Sequence, residues 1–146
     1  IFISILPVLY EINFTSLLIA FLLFSFILLL VDIIWLSIAP KYIYRPNLPG
    51  LLLDKPVLWA AALFYILYSI GATIIIIRPA LIDSSVINAG INGFIFGLVA
   101  YGTWSLTNMA ILKGWSPYVT FIDMFWGGLL TSFSASLSIY LIKKFL

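Results

Sequence analysis

Four long stretches of the chain are apolar, and most polar positions fall in the gaps between them. A helix needs about 20 mostly apolar residues to cross a hydrocarbon core of roughly 30 Å. The stretches at about residues 14–39, 57–77, 86–112 and 118–142 meet that length. Their ends carry matching punctuation. Proline cannot continue a helix interior, so Pro40 and Pro79 are expected stops. Asp83-Ser84-Ser85 offers N-cap side chains to the third stretch. Lys113-Gly114 closes that stretch, with Gly114 at a C′ position. Ser116-Pro117 restarts the chain as an N-cap followed by proline at the first helical position. The expected fold is all-α, a four-transmembrane-helix bundle with both termini on the same side.

Two segments fall outside this pattern. Residues 1–13 are apolar but too short to cross, are interrupted by Pro7, and are set apart by Glu11 and Asn13. They are expected to lie in the membrane interface, ahead of a transmembrane domain over 14–146. The chain opens on Ile1 and not on methionine, so a missing or processed start is expected and no targeting signal is read. The longest connection holds Pro40, Pro46, Pro49, Pro56 and Gly50. It is expected to be a structured loop with Leu51, Leu52 and Leu53 dipping into the interface.

Composition sharpens the picture. Of 146 residues, 64% are hydrophobic and 8% charged, against roughly 45–50% and about 25% in soluble domains. This is an integral membrane protein. There is no histidine and no cysteine. That excludes thiol nucleophiles, imidazole acid–base chemistry, zinc or iron–sulfur ligation and the usual haem ligands. No metal or cofactor is expected, although a bound lipid is compatible. The net charge of +2 is scattered, so nucleic acid is not an expected partner. One membrane side would carry Arg78, Lys143 and Lys144, and the other Lys41, Arg45, Lys55 and Lys113. That near-even split leaves orientation undecided by the positive-inside rule.

Helices in lipid associate through close packing and hydrogen bonds. The third span offers Gly93 and Gly97 four apart, and the fourth Gly127 and Gly128. Contact within the chain's own bundle is expected of them before dimerisation. Trp59, Trp115 and Tyr118 fall at span ends and suit the aromatic belt, whereas Trp104 and Trp126 lie deeper.

The polar residues inside the spans are the candidate chemistry. Asp32 and Asp123 each open a D-x-x-W sequence ending at Trp35 and Trp126. Residues three apart share a helix face. An intramembrane carboxylate costs about 2.5–3.5 kcal/mol on insertion scales and is a functional candidate by default. The competing reading is interhelical glue. No lysine or arginine lies mid-span, so each carboxyl is expected to be protonated or held by Tyr, Trp N–H or Asn donors. Depth adds a constraint. Counted from the ends on one side at ~1.5 Å per residue, Asp32, Tyr65, Ser105, Asn108 and Asp123 all lie about 8–13 Å in. One buried cluster is therefore expected, containing Asp32, Tyr65 or Tyr68, Tyr101, Ser105, Asn108 and Asp123, with Trp35, Trp104 and Trp126 as supporting aromatics. It should open towards the side of the 40–56 connection.

Several runs together carry a family resemblance. Asp32-Ile33-Ile34-Trp35-Leu36, Phe64-Tyr65-Ile66-Leu67-Tyr68, Ala100-Tyr101-Gly102-Thr103-Trp104-Ser105-Leu106-Thr107-Asn108, Leu112-Lys113-Gly114-Trp115 and Asp123-Met124-Phe125-Trp126-Gly127 follow in that order. The chain resembles the domain-of-unknown-function 2177 family, small four-span membrane proteins found mostly in bacteria. The resemblance covers nearly the whole chain. It implies a fold and a site more than an activity. In the family's pattern an aspartate stands where this chain has Ser105, so chemistry needing three carboxyls would be lost here.

Two functions compete. The first is a non-catalytic accessory or assembly subunit of a larger membrane complex, with lipids and other membrane subunits as partners. The second is a lipid- or isoprenoid-handling enzyme or carrier built on Asp32 and Asp123. Few charges and the Ser105 departure lean away from an enzyme. A proton pathway would need more than two acids. The expected location is a bacterial inner membrane or an organellar one such as the mitochondrial inner membrane.

Overall fold

Long apolar runs bounded by good caps should form helices that satisfy their own backbones, which lipid demands. The computed structural model describes residues 12–146, so the expected interfacial segment lies, but for its last two residues, outside the described residues. Among the described residues, four helices are long and apolar enough to cross a membrane: α1 Phe14–Asn47, α2 Leu58–Ile82, α3 Val86–Ile111 and α4 Pro117–Phe145. The described residues contain no strand. Asn13 caps α1 by accepting from the Ser16 N–H at 2.8 Å. Ser85 and Ser116 do the same for α3 and α4. Gly114 sits at φ +75° in the turn between those two helices, a conformation glycine adopts without a Cβ penalty.

Pro40 and Pro79 do not stop their helices. α1 runs on to Asn47 and α2 to Ile82. Pro40 itself holds helical dihedrals, and a wide π turn precedes both Pro46 and Pro79. Pro40–Tyr44 and Thr73–Ile77 are π-helical, and in each the next N–H, of Arg45 or Arg78, donates to the carbonyl five residues back. Both turns run directly into Arg-Pro, at Pro46 and Pro79. A proline ring clashes with the carbonyl four residues earlier and supplies it no N–H. One extra residue in the preceding turn moves the donors along the ladder and lets the helix step past the proline.

The tightest contact is α3 on α4. A Cβ added at Gly97 would run into the Gly127 backbone. One added at Gly93 would lie 2.9 Å from the Thr131 carbonyl oxygen, and one at Gly128 would lie 2.8 Å from the Phe94 ring. The glycines thus let two backbones touch inside this chain, where dispersion and weak polar contacts hold helices in lipid. α1 and α2 pack over this pair. Ala20, Phe24 and Leu28 of α1, Ala72, Ile76 and Ile77 of α2, and Leu130, Ala135 and Ile139 of α4 form one buried apolar cluster. Lys143 Nζ ties the end of α4 to the α2–α3 turn by donating to the Ser84 carbonyl at 2.6 Å. The other half of the bundle is built differently. There aromatic and acidic side chains surround a cavity.

Candidate carboxylate site

Asp32 and Trp35 share a face of α1, and Asp123 and Trp126 a face of α4. The two faces meet in a crossed arrangement. Trp126 Nε1 donates to Asp32 Oδ1 at 2.9 Å, so the second motif's indole serves the first motif's acid. Trp35 Nε1 donates to the Tyr44 hydroxyl at 2.8 Å, and that hydroxyl donates to Asp123 Oδ1. The first motif's indole thus serves the second motif's acid through one relay. The two indoles stack between the acids, with ring centroids 4.5 Å apart and planes 9° from parallel. Because Asp32 pairs with Trp126 and the later Tyr44 with the earlier Asp123, α1 and α4 run antiparallel.

The two carboxyls differ in how fully they are satisfied. Asp32 is 4% exposed and accepts on both oxygens, the second bond coming from Tyr65 at 2.5 Å. Asp123 is 3% exposed and, among the described residues, accepts a hydrogen bond on Oδ1 alone. Ser105, fully buried, offers its hydroxyl to Asp123 without reaching full hydrogen-bond geometry.

Both acids line a cavity of about 950 Å³. Its wall combines Trp35, Leu36 and Tyr44 of α1 with Ala61, Phe64 and Tyr65 of α2, Ala100, Tyr101 and Trp104 of α3, and the 48–57 connection. That connection contributes Leu52, Leu53, Asp54 and Pro56, whereas Leu51 does not line the cavity, and both Leu51 and Leu53 are exposed. The cavity therefore lies at the end of the bundle where α1 passes into α2. Arg45 stands at this mouth, 3.4 Å from the Leu53 carbonyl oxygen and 3.9 Å from Asp54.

The other expected residues are distributed as follows. Tyr101 lines the cavity, and its hydroxyl makes no hydrogen bond among the described residues. Tyr68 is buried deeper and shares a 2.6 Å hydroxyl–hydroxyl bond with Thr131. Its ring meets Tyr101 edge-on at 6.2 Å. Asn108 is half-buried and does not line the cavity. Trp115 packs edge-on against Trp104 at 5.1 Å, and Thr120 donates to the Ser105 carbonyl, so this stretch of α3 is covered by the α3–α4 turn. Trp104 lines the cavity but is half exposed.

Tyr44 was not among the expected residues, and the π turn is the reason. Nine residues separate it from Trp35. On a uniform α-helix at about 100° per residue the two would face opposite ways. The residue inserted by the wide turn removes about 100° of that separation. The aromatic Tyr42-Ile43-Tyr44 run beside a supposed helix end was the one signal for it.

Two carboxyls alone make a poor metal centre, and the described residues hold no grouping of three or more metal-ligating side chains. The geometry suits hydrogen bonding to a guest: one acid is closed and structural, the other open. No curated protein and no solved structure gives a significant match to the chain. The family model described as "Predicted membrane protein (DUF2177)" matches residues 17–140, which takes in α2, α3 and nearly all of α1 and α4. The chain belongs to that family.

Proposed function

We propose that the protein is a carrier for a lipid-like or isoprenoid molecule, held with its apolar part among the helices and its polar head near Asp123. The observation that carries this reading is the cavity. Ligand pockets are about 300–1,000 Å³, mostly apolar, with a few convergent polar groups. A cavity of about 950 Å³ walled by leucine, proline and aromatic side chains, with two acids in its wall, has that character. Carriage is favoured over catalysis because an acid–base pair of Asp32 and Asp123 would need both carboxyls free to exchange protons. Here both oxygens of Asp32 are committed. The test is purification in gentle detergent followed by mass spectrometry of retained small molecules. One amphipathic species should be enriched in the native protein and lost on Ala61→Trp, which fills the wall. Absence of any enriched species from the native protein would overturn the reading.

A further inference from the structure

Resting on that reading, we infer that the head group held in the cavity is a cation, a lipophilic ammonium.

The charge inventory of the wall leads there. Asp32 and Asp123 line the cavity with Asp54 at its mouth, and among the described residues Arg45 is the one basic residue that lines it. Arg45 sits at the mouth and is turned to the loop, towards Leu53 and Asp54. The interior thus presents acid without base. A carboxylate in hydrocarbon is costly without a partner, and the described residues supply Asp123 with one hydroxyl on one oxygen. The open oxygen is an acceptor waiting for positive charge or a donor.

The rest of the wall discriminates among candidates. Trp35, Tyr44, Phe64, Tyr65, Tyr101 and Trp104 line it. Aromatic rings attract cations through their quadrupoles and form the usual cage for quaternary ammonium groups. An anionic head, such as a phosphate, would face two carboxyls with no free cation inside. A neutral polar head would gain hydrogen bonds from Asp123 and Tyr101 but leave the charge uncompensated. A cation satisfies the acid and the rings together.

The test compares two probes of one tail length, octyltrimethylammonium and 1-octanol, on the native protein in neutral-lipid nanodiscs. Binding is read by calorimetry and by tryptophan fluorescence, since Trp35 and Trp104 line the cavity. The quaternary probe keeps its charge at all pH values, so any pH effect belongs to the protein. The cation should bind at least tenfold more tightly than the alcohol, and Asp123→Asn should erase that preference by weakening the cation far more than the alcohol. Equal binding of the two probes by the native protein overturns the cation inference and leaves the cavity reading standing. Binding of neither overturns both. A preference that survives in a folded Asp123→Asn protein overturns the assignment to Asp123. The native comparison needs no variant, so a misfolded mutant does not remove the test.

Discussion

The same four-residue pattern occurs twice in this bundle and ends in two different states. In α1, Asp32 is closed: an indole N–H and a phenol occupy its two oxygens. In α4, Asp123 receives one phenol at full hydrogen-bond geometry, and the Ser105 hydroxyl beside it falls short of that geometry. Sequence, burial and depth are nearly matched, since both acids are less than 5% exposed. What separates them is the neighbouring helix. α2 delivers Tyr65 to Asp32, and α3 delivers only the short Ser105 to Asp123. An acid satisfied twice holds helices together. An acid satisfied once, on a cavity wall, is available to a guest.

The largest effect should come from opening the closed acid. Asp32→Ala removes two interhelical hydrogen bonds and strands the Trp126 N–H and Tyr65 hydroxyl. Interhelical bonds in membranes average about 0.6 kcal/mol, with a maximum near 1.7, and a stranded buried donor costs about 1–3 kcal/mol more. A loss of about 2–4 kcal/mol is expected in denaturant unfolding from micelles. A variant as stable as the native protein would break the distinction between a structural and an available acid.

Tyr44→Phe comes next. It cuts the relay from Trp35 to Asp123 but keeps the ring. The expected cost is about 1–2 kcal/mol, with red-shifted tryptophan emission as the Trp35 N–H finds water. If the emission stays fixed, the relay does not hold Trp35 in place.

That residue also marks where the sequence stops being legible. The four helices could be read because apolar length is nearly sufficient for a membrane helix. The common depth of Asp32, Tyr65, Ser105 and Asp123 could be read because axial rise is uniform. Azimuth could not, beyond a π turn. Pro40 reads as a stop, so Tyr44 falls into a loop on paper and onto the site in space. Asn108 fails in the opposite direction. It shares a face with Tyr101 by spacing, yet it lies about two turns further along α3 and does not line the cavity, and no periodicity within one helix reports where a cavity wall ends.

Asp123→Asn should cost less than either change, below about 1 kcal/mol. The amide oxygen can still accept from Tyr44, and the amide N–H₂ gains the choice of Ser105 as a partner. The unfolding midpoint should stay close to that of the native protein while retention of the co-purified amphiphile falls. A fall in stability as large as that of Asp32→Ala would make the two acids equivalent and remove the contrast between them.

The smallest effect belongs to the mouth. Arg45 reaches the Leu53 carbonyl at 3.4 Å and Asp54 at 3.9 Å, and both side chains of the ion pair are largely exposed. Long, exposed contacts of this kind are screened and contribute little to stability. Arg45→Ala should therefore leave the melting temperature unchanged. Its role would be kinetic. Leu52, Leu53 and Pro56 form the mouth-side wall of the cavity, and Arg45 is the link between α1 and that segment. Releasing it should let the segment move and speed the exchange of a bound amphiphile, with no comparable change at either acid. Stopped-flow displacement should show a faster off-rate in Arg45→Ala at low ionic strength, with the native protein approaching the same rate as salt is raised. An off-rate insensitive to both the substitution and salt would mean that the 48–57 segment does not retain the guest, and that retention rests on Asp123 and the aromatic wall.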